Sequence, residues 1–278
     1  MRFPIWLKIL LAAAPGLGAS AGEKPVEVAP GVSGAWVTPD QGWDGRTVLL
    51  LHGLADDMDG AGDLTKRLAG ELAAHGIASL RINFRGEGDR RRTDLRSTLA
   101  TRIADAEAAR AFVLKQPSAG TVRLGVQGWS LGATTAIEVA ARHPDWVRSM
   151  VLWSSPWGDQ DKFMLGNPPA QQALREGSVT EELPGWKTIT RQRDFFESFR
   201  GVDLDRSLAK YPGALLAVRG AQDFIPMHEE EFMRIARGRP AEAVVIGGAD
   251  HIFNVFQPEL GHATRAIAVT VAWFERTL

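Results

Sequence analysis

Ser130 lies in a setting that could turn its hydroxyl into a nucleophile. It is the central residue of GWSLG at 128–132, a G-x-S-x-G pentapeptide. The apolar run at 122–127 is typical of a buried strand, and the Ala- and Leu-rich segment after the pentapeptide has helical spacing. A sharp strand-to-helix turn lifts the serine above the sheet edge, beside the free N–H groups of the helix N-terminus. The pattern predicts nucleophilic catalysis. A tight turn with an incidental serine is the alternative.

A serine hydroxyl needs a base to take its proton, and a histidine base needs an acceptor that fixes its tautomer. Asp223 and His251 follow Ser130 in the order serine, acid, histidine that accompanies a G-x-S-x-G turn. Asp223 lies in GAQDFIP and His251 in GGADHIF, each just past a predicted strand. We therefore predict Ser130 as nucleophile, His251 as general base and Asp223 as the acid that orients His251.

Both partners of the serine have rivals. Two other histidines lie in or beside predicted helices, where solvated or capping roles are more usual. Three other aspartates are placed less well, because one adjoins the predicted base in sequence and two precede a strand rather than follow one. These rivals are His228, His262, Asp250, Asp203 and Asp205.

Two backbone N–H groups are expected to hold the oxyanion. One belongs to Leu131, directly after the nucleophile, and the other to Leu54, in the loop after the apolar run TVLLL at 47–51. The side chain of His52 in the same loop is expected to make structural hydrogen bonds. Four tryptophans could line an aromatic acyl or alcohol pocket or could pack in the core: Trp129, Trp153, Trp157 and Trp186.

Strands alternate with helices along most of the chain, which predicts right-handed crossovers and a mainly parallel sheet covered on both faces. Ligands bind beyond the carboxyl ends of such strands, and the predicted triad falls there. The segment 157–205 interrupts the alternation. Its length, its lack of clear regular structure and its aromatic residues predict a lid over the site.

Composition excludes several functions. The chain has 278 residues and a formal net charge of −1, so no strong field favours nucleic acid. It has no cysteine, which excludes thiolate catalysis, disulfides and cysteine-bound metal. Arginines at 85 and 90–92 form a basic cluster that indicates a solvated loop or an anchor for a nearby acidic group.

Residues 1–21 have the features of a signal peptide. Arg2 and Lys8 flank a short apolar stretch, and ASA at 19–21 offers a cleavage site. The apolar part is too short for a permanent membrane anchor. We expect a periplasmic or secreted mature chain of residues 22–278. An uncleaved amphipathic helix is the alternative.

Five segments carry a family resemblance. They are HGL at 52–54, SLRINFRGEGD at 79–89, GWSLG at 128–132, GAQDFIP at 220–226 and GGADHIF at 247–253. They resemble the α/β-hydrolase superfamily, and within it the serine esterases of the cinnamoyl/feruloyl esterase and serine aminopeptidase-like group. The resemblance runs from Trp36 to Leu278 except for the lid. Two departures are Glu87, where such loops often carry histidine, and Trp129 beside the serine.

The resemblance implies one α/β-hydrolase domain over residues 22–278. It also implies a Ser130–Asp223–His251 triad that hydrolyses small carboxylic esters through an acyl-enzyme, without metal or cofactor. A peptidase or amidase with the same triad is the nearest alternative, with Glu181 and Glu182 as possible anchors for an amino group. A non-catalytic binding protein that keeps the fold is a further alternative, against which the ordered triad argues.

Overall fold

The computed structural model describes residues 22–117 and 120–278. The predicted signal peptide, residues 1–21, lies outside the described residues. No helix in the described part of the chain is both long enough and apolar enough to cross a bilayer.

The described residues form eleven strands and eight α-helices. The strands are β1 Gly22–Ala29, β2 Val32–Thr38, β3 Arg46–Leu51, β4 Ala78–Ile82, β5 Asp94–Leu95, β6 Arg123–Trp129, β7 Ser149–Trp153, β8 Ser178–Leu183, β9 Lys187–Gln192, β10 Ala214–Gly220 and β11 Ala241–Ile246. The helices are α1 Leu64–Ala74, α2 Leu99–Leu114, α3 Leu131–Arg142, α4 Pro168–Glu176, α5 Arg193–Glu197, α6 Leu204–Leu208, α7 Glu229–Ile235 and α8 His262–Thr277.

Eight strands form a central sheet in the order β1-β2-β4-β3-β6-β7-β10-β11. Six of these strands, β4, β3, β6, β7, β10 and β11, are parallel to one another. Strand β2 pairs antiparallel with β4, and β1 pairs antiparallel with β2. Residues 32–38, which as an isolated segment look like an edge strand, form the inner strand β2, because β1 covers that edge. Strand β1 is largely exposed and carries charged residues, so its sequence lacks the apolar pattern of a strand.

Both faces of the sheet are buried, which explains the uninterrupted apolar run of β3. Leu49 and Leu51 join the core cluster that includes α2 and α3, whereas Val48 and Leu50 join the cluster that includes α1 and α8. Successive side chains of a strand point to opposite faces, so a strand covered on both sides must be apolar at every position. Burying each such leucine contributes about 1.5–3 kcal/mol. The strand therefore holds the loop that follows it firmly.

The insertion at 157–205 has regular structure, contrary to expectation. It contains a π-helical turn at 161–165, helices α4 and α5, the start of α6 and the hairpin β8–β9. Strand β9 also pairs with the two-residue strand β5, which gives a second sheet of three strands. Phe195, Phe196 and Phe199 are buried in the same core cluster as α3. The insertion thus packs onto the core that contains α3 through its aromatic residues.

Candidate active site

The turn between β6 and α3 is a sharp elbow. Ser130 has φ 53° and ψ −117°, and its N–H donates to the carbonyl oxygen of Trp153 at 2.9 Å. A Cβ on Gly128 would lie 2.4 Å from the carbonyl oxygen of Gly132, and one on Gly132 would lie 2.0 Å from that of Leu51. No side chain fits at these distances. Both glycines of the G-x-S-x-G pattern are therefore required by contact.

The predicted oxyanion donors come from two neighbouring strands. Leu131 is the first residue of α3, where a backbone N–H has no acceptor within the helix. Strands β3 and β6 pair in parallel, so their following loops begin side by side. A Cβ on Gly53 would lie 3.5 Å from the Cβ of Ser130. The loop at 52–55, hereafter the oxyanion loop, thus passes beside the serine, and Leu54 lies within it. The donor roles of Leu54 and Leu131 stay a prediction.

Asp223 and His251 form a hydrogen-bonded pair. The Nδ1–H of His251 donates to Oδ1 of Asp223 at 2.8 Å, and the aspartate side chain is fully buried. Burial would raise the pKa of Asp223, but the hydrogen bond and charge of His251 outweigh it and keep that pKa below its usual value. The backbone N–H of Ile225 adds a bond at 2.9 Å to the same oxygen. With Nδ1 protonated, Nε2 of His251 is the nitrogen able to accept a proton.

The histidine loop lies across the ends of β6 and β7. The carbonyl oxygen of His251 accepts from Nε1 of Trp129 at 3.2 Å and from Oγ of Ser154 at 3.0 Å. Trp129 directly precedes the elbow serine, and Ser154 directly follows β7. These bonds bring His251 to the same rim of the sheet as Ser130. The catalytic role of the three residues stays a prediction.

The rival residues have other partners. Nε2 of His228 lies 2.9 Å from Oδ2 of Asp205, and its ring stacks on Trp157 at 4.3 Å. His262 lies 2.9 Å from the side-chain oxygen of Asn254. Asp203 caps α6, and Asp250 accepts from the backbone of its own turn.

The four tryptophans lie in three different environments. Trp153 is fully buried, and its Nε1 donates to Thr270 of α8 at 2.9 Å. Of the two alternatives predicted for Trp153, a substrate pocket or core packing, its burial favours core packing. Trp129 is also largely buried. The other two join the insertion to the site, since Trp157 donates to the carbonyl oxygen of Pro226 at 2.9 Å and Trp186 to that of Ala55 at 3.1 Å.

Sequence reasoning missed a buried ion pair behind the oxyanion loop. Glu87 and Arg102 lie 2.5 Å apart, and neither side chain is more than 1% exposed. The one signal was Glu87 itself, at a position where such loops often carry histidine. His52 lies in the same cluster. Its Nδ1 contacts the carbonyl oxygen of Gly53 at 2.8 Å, and its Nε2 accepts from Phe84 N–H at 3.3 Å. Burial, aided by the charge of Arg102, lowers the pKa of His52 to about 4.

Two further features lie around the site. Asp56 follows the oxyanion loop, and burial raises its pKa to about 6. Arg90 of the predicted basic cluster lies 2.9 Å from Asp57 and 3.6 Å from Asp56, so it anchors acidic groups.

Phe224 follows Asp223, is 76% exposed and lies 4.3 Å from the ring of His251. Within the described residues, no group of three or more histidine and acidic side chains is placed to hold a metal ion.

The sheet order, the elbow and the positions of the site residues define an α/β hydrolase. Residues 45–200, more than half of the chain, match the family described as serine aminopeptidase, S33, and the chain belongs to this family. An uncharacterized protein of Mycobacterium tuberculosis is 27% identical over 220 residues, which cover 78% of this chain and 67% of that protein. The family resemblance inferred from the motifs is thereby confirmed.

Solved structures share the fold. Est1E from Butyrivibrio proteoclasticus, with bound ferulic acid, superposes with a TM-score of 0.72 at 14% identity over 88% of this chain and 95% of that one. The esterase domain of a Rhodothermus marinus protein gives 0.66 at 22% identity, covering 93% and 99%. Dienelactone hydrolase from Anabaena variabilis gives 0.65 at 18% identity, covering 94% and 100%. The fold of this chain is thus shared with esterases and with a dienelactone hydrolase.

Proposed function

We propose that the protein is an exported serine hydrolase that cleaves carboxylic esters through an acyl-enzyme. The observation that carries the proposal is the 2.8 Å hydrogen bond between His251 and the buried carboxylate of Asp223. The elbow serine lies at the same sheet edge. A histidine held by an aspartate leaves its second nitrogen free to take the proton of a serine hydroxyl.

The reaction runs in two halves. Ser130 Oγ attacks the ester carbonyl carbon while His251 Nε2 takes its proton, and the N–H groups of Leu54 and Leu131 hold the oxyanion. His251 then returns the proton to the departing alkoxide, which leaves the acyl group on Ser130. A water molecule, deprotonated by His251, attacks the acyl-enzyme. The acid departs and the serine recovers its proton.

The proposed substrates are esters with short-chain or aromatic acyl groups. Phe224 supports this class, because a phenylalanine 76% exposed beside the base offers an apolar surface to a bound ester. The ferulic acid bound to Est1E is a precedent for aromatic acids on this fold.

The test uses the chain from residue 22 onward with p-nitrophenyl acetate, p-nitrophenyl butyrate and methyl ferulate. The wild type is expected to hydrolyse at least one of them and to be labelled by a fluorophosphonate probe. Ser130→Ala is expected to lose both properties while keeping the circular dichroism and melting temperature of the wild type. Equal rates for the two proteins would reject the proposal.

A peptidase with the same triad is the second candidate, and the family description favours it. The anchor foreseen for an amino group is weakened at Glu181, because Arg191 forms an ion pair with that carboxylate. Glu182 is exposed. Turnover of aminoacyl-p-nitroanilides that exceeds ester turnover would favour this candidate.

Export is proposed from residues 1–21 alone. Expression of the full chain in a Gram-negative host, with N-terminal sequencing of the periplasmic and medium fractions, tests it. The expected mature protein begins at Gly22. A cytoplasmic product that keeps Met1 would contradict export.

A further inference from the structure

The ion pair behind the oxyanion loop joins two elements 15 residues apart. Glu87 follows β4, whereas Arg102 lies near the start of α2. Removing two charges from water costs free energy, and a well-packed apolar pair is often as stable. Stability is therefore a weak reason for placing an ion pair here. What the pair contacts gives a better one.

The pair fixes both ends of the oxyanion loop. Oε1 of Glu87 accepts the backbone N–H of Ala55 at 2.6 Å. A guanidinium nitrogen of Arg102 donates to the carbonyl oxygen of His52. Leu54 lies between these two anchored residues. Its N–H therefore keeps one orientation as long as both bonds persist.

The same guanidinium is also linked, through Thr135, to Leu131, whose N–H is the second proposed oxyanion donor. Nε of Arg102 donates to Oγ1 of Thr135 in α3 at 3.2 Å, and that hydroxyl contacts the carbonyl oxygen of Leu131 at 3.1 Å. One side chain thus ties the oxyanion loop to the first turn of α3. That connection adds a second restraint on the spacing between residues 54 and 131, beside the bond from Glu87 to Ala55.

The loop needs such restraint because of its backbone. Ala55 has φ 59°, a region in which alanine is strained. A strained residue persists only where its surroundings over-determine its conformation. The carboxylate of Glu87 holds the N–H of Ala55, and Ser97 Oγ donates to the other oxygen of that carboxylate at 2.6 Å. Burial would raise the pKa of Glu87, but the charges of Arg102 and His52 and the hydrogen bonds from Ser97 and Ala55 together keep that pKa below its usual value.

We propose that Glu87 and Arg102 are positioning residues that set the distance between the two oxyanion N–H groups during ester hydrolysis. The inference rests on the proposed function. Neither side chain touches the substrate. Both act through the backbone of residues 52–55.

Two double variants isolate the bond to Ala55. Glu87→Leu with Arg102→Met replaces the pair by apolar side chains of similar size and removes both anchors. Glu87→Gln with Arg102→Met also lacks the charges but keeps an oxygen that can accept the N–H of Ala55. Loss of one oxyanion donor typically lowers kcat by 10²–10³-fold, so we expect the leucine variant to lose about 10²-fold. We expect the glutamine variant to lose less than about tenfold, with KM nearly unchanged in both.

Asp105→Asn is the matched control. Asp105 is a buried carboxylate on the same helix, and it binds Arg85 rather than the oxyanion loop. We expect this variant to lose stability but keep kcat. Equal kcat values for the two double variants, or a wild-type kcat for the leucine variant, would overturn the proposal.

Amide hydrogen exchange gives a readout that does not depend on turnover. Exchange of the Ala55 N–H should be fastest in the leucine variant and slower in the glutamine variant. Similar protection in both would overturn the positioning role. If the wild type hydrolyses no ester, the proposed function fails, while this comparison still decides whether Glu87 holds the loop.

Discussion

At the rim of the sheet that carries the candidate site, the loops after β3 and β4 hold buried charges, whereas the loops after β10 and β11 expose apolar side chains. The first set, residues 52–61 and 84–90, forms a charged wall that includes Asp56 and Glu87, both almost inaccessible to water. The second set, residues 223–228 and 251–256, forms an aromatic wall. Its Phe224, Met227 and Phe256 are 76%, 59% and 63% exposed.

The two walls serve different needs of one reaction. Charges in a dry interior interact strongly and hold backbone groups in place. Exposed apolar side chains restrain no backbone group in the free protein, but their burial by a ligand stabilises the complex. We infer that the charged wall fixes geometry and the aromatic wall contacts substrate. Substitutions of the buried charges should therefore affect kcat and stability, whereas substitutions of the exposed apolar side chains should affect KM.

The largest effect is expected within the aromatic wall itself, which holds the histidines of two histidine–aspartate pairs. His251→Ala removes the proposed base and should lower kcat for p-nitrophenyl butyrate by at least about 10⁴-fold. His228→Ala breaks the pair with Asp205 and should change kcat less than tenfold, because that pair joins α6 to α7. Steady-state kinetics on both variants measures the contrast. Comparable losses would contradict the choice of His251.

The next effect is on stability and belongs to the charged wall. Arg102→Met alone leaves the carboxylate of Glu87 buried without its cation. Breaking a buried pair from one side costs about 3–5 kcal/mol. Urea unfolding should show that loss in the free energy of unfolding, and adding Glu87→Leu should recover part of it. A single variant as stable as the wild type would show that the pair is not buried in solution.

A pH-dependent effect of about 3 kcal/mol is expected from Asp56. Burial, with the charge of Asp57 added, raises its pKa from 3.8 to about 6. The folded protein thus binds this proton more tightly than the unfolded chain. The resulting stabilisation is complete below about pH 4 and is lost as pH rises through about 6, and each pKa unit corresponds to about 1.4 kcal/mol.

Asp56→Asn removes this titration. The free energy of unfolding, measured in urea between pH 4 and 7, should fall with rising pH by about 3 kcal/mol more in the wild type than in the variant. Asp40→Asn, at an exposed aspartate, is the control and should follow the wild type. Parallel profiles for Asp56→Asn and the wild type would contradict the raised pKa.

The smallest effect is expected at Phe224. Phe224→Ala removes an exposed ring, so the free energy of unfolding should change by less than about 0.5 kcal/mol. We expect KM for methyl ferulate to rise about tenfold, because the lost apolar contact corresponds to about 1.4 kcal/mol. KM for p-nitrophenyl acetate should change less. A large fall in kcat with KM unchanged would assign Phe224 to the positioning of His251 instead.

The sequence predicted the parts of the fold that depend on local pattern. The apolar run of β3 indicated a strand buried on both faces. The G-x-S-x-G pattern indicated a sharp turn, whose close backbone contacts require both glycines. The order of Ser130, Asp223 and His251 predicted which residues lie at strand ends. The bond between Asp223 and His251 could only be expected, because it joins loops 28 residues apart.

Features that depend on long-range contacts were not predictable. Strands β8 and β9 are rich in polar residues. They form a sheet because β9 pairs with β8 on one side and with β5 on the other. Arg102 meets the carbonyl oxygen of a residue 50 positions away. Trp153 ends a strand, a position that also suits a pocket residue, and only the packing of α8 decides that it faces the core. Such choices are made by tertiary structure, which a local pattern does not contain.

The alanine at position 55 has a consequence for how the oxyanion loop could be altered. A glycine would adopt φ 59° with less steric cost, yet it would leave the unfolded chain more freedom and so a larger entropy to lose on folding. It would also let residues 53–56 sample many more shapes between catalytic cycles. Alanine at this position has a steric cost in the folded state, but it makes the loop more rigid. Engineering for promiscuity would therefore begin with this residue.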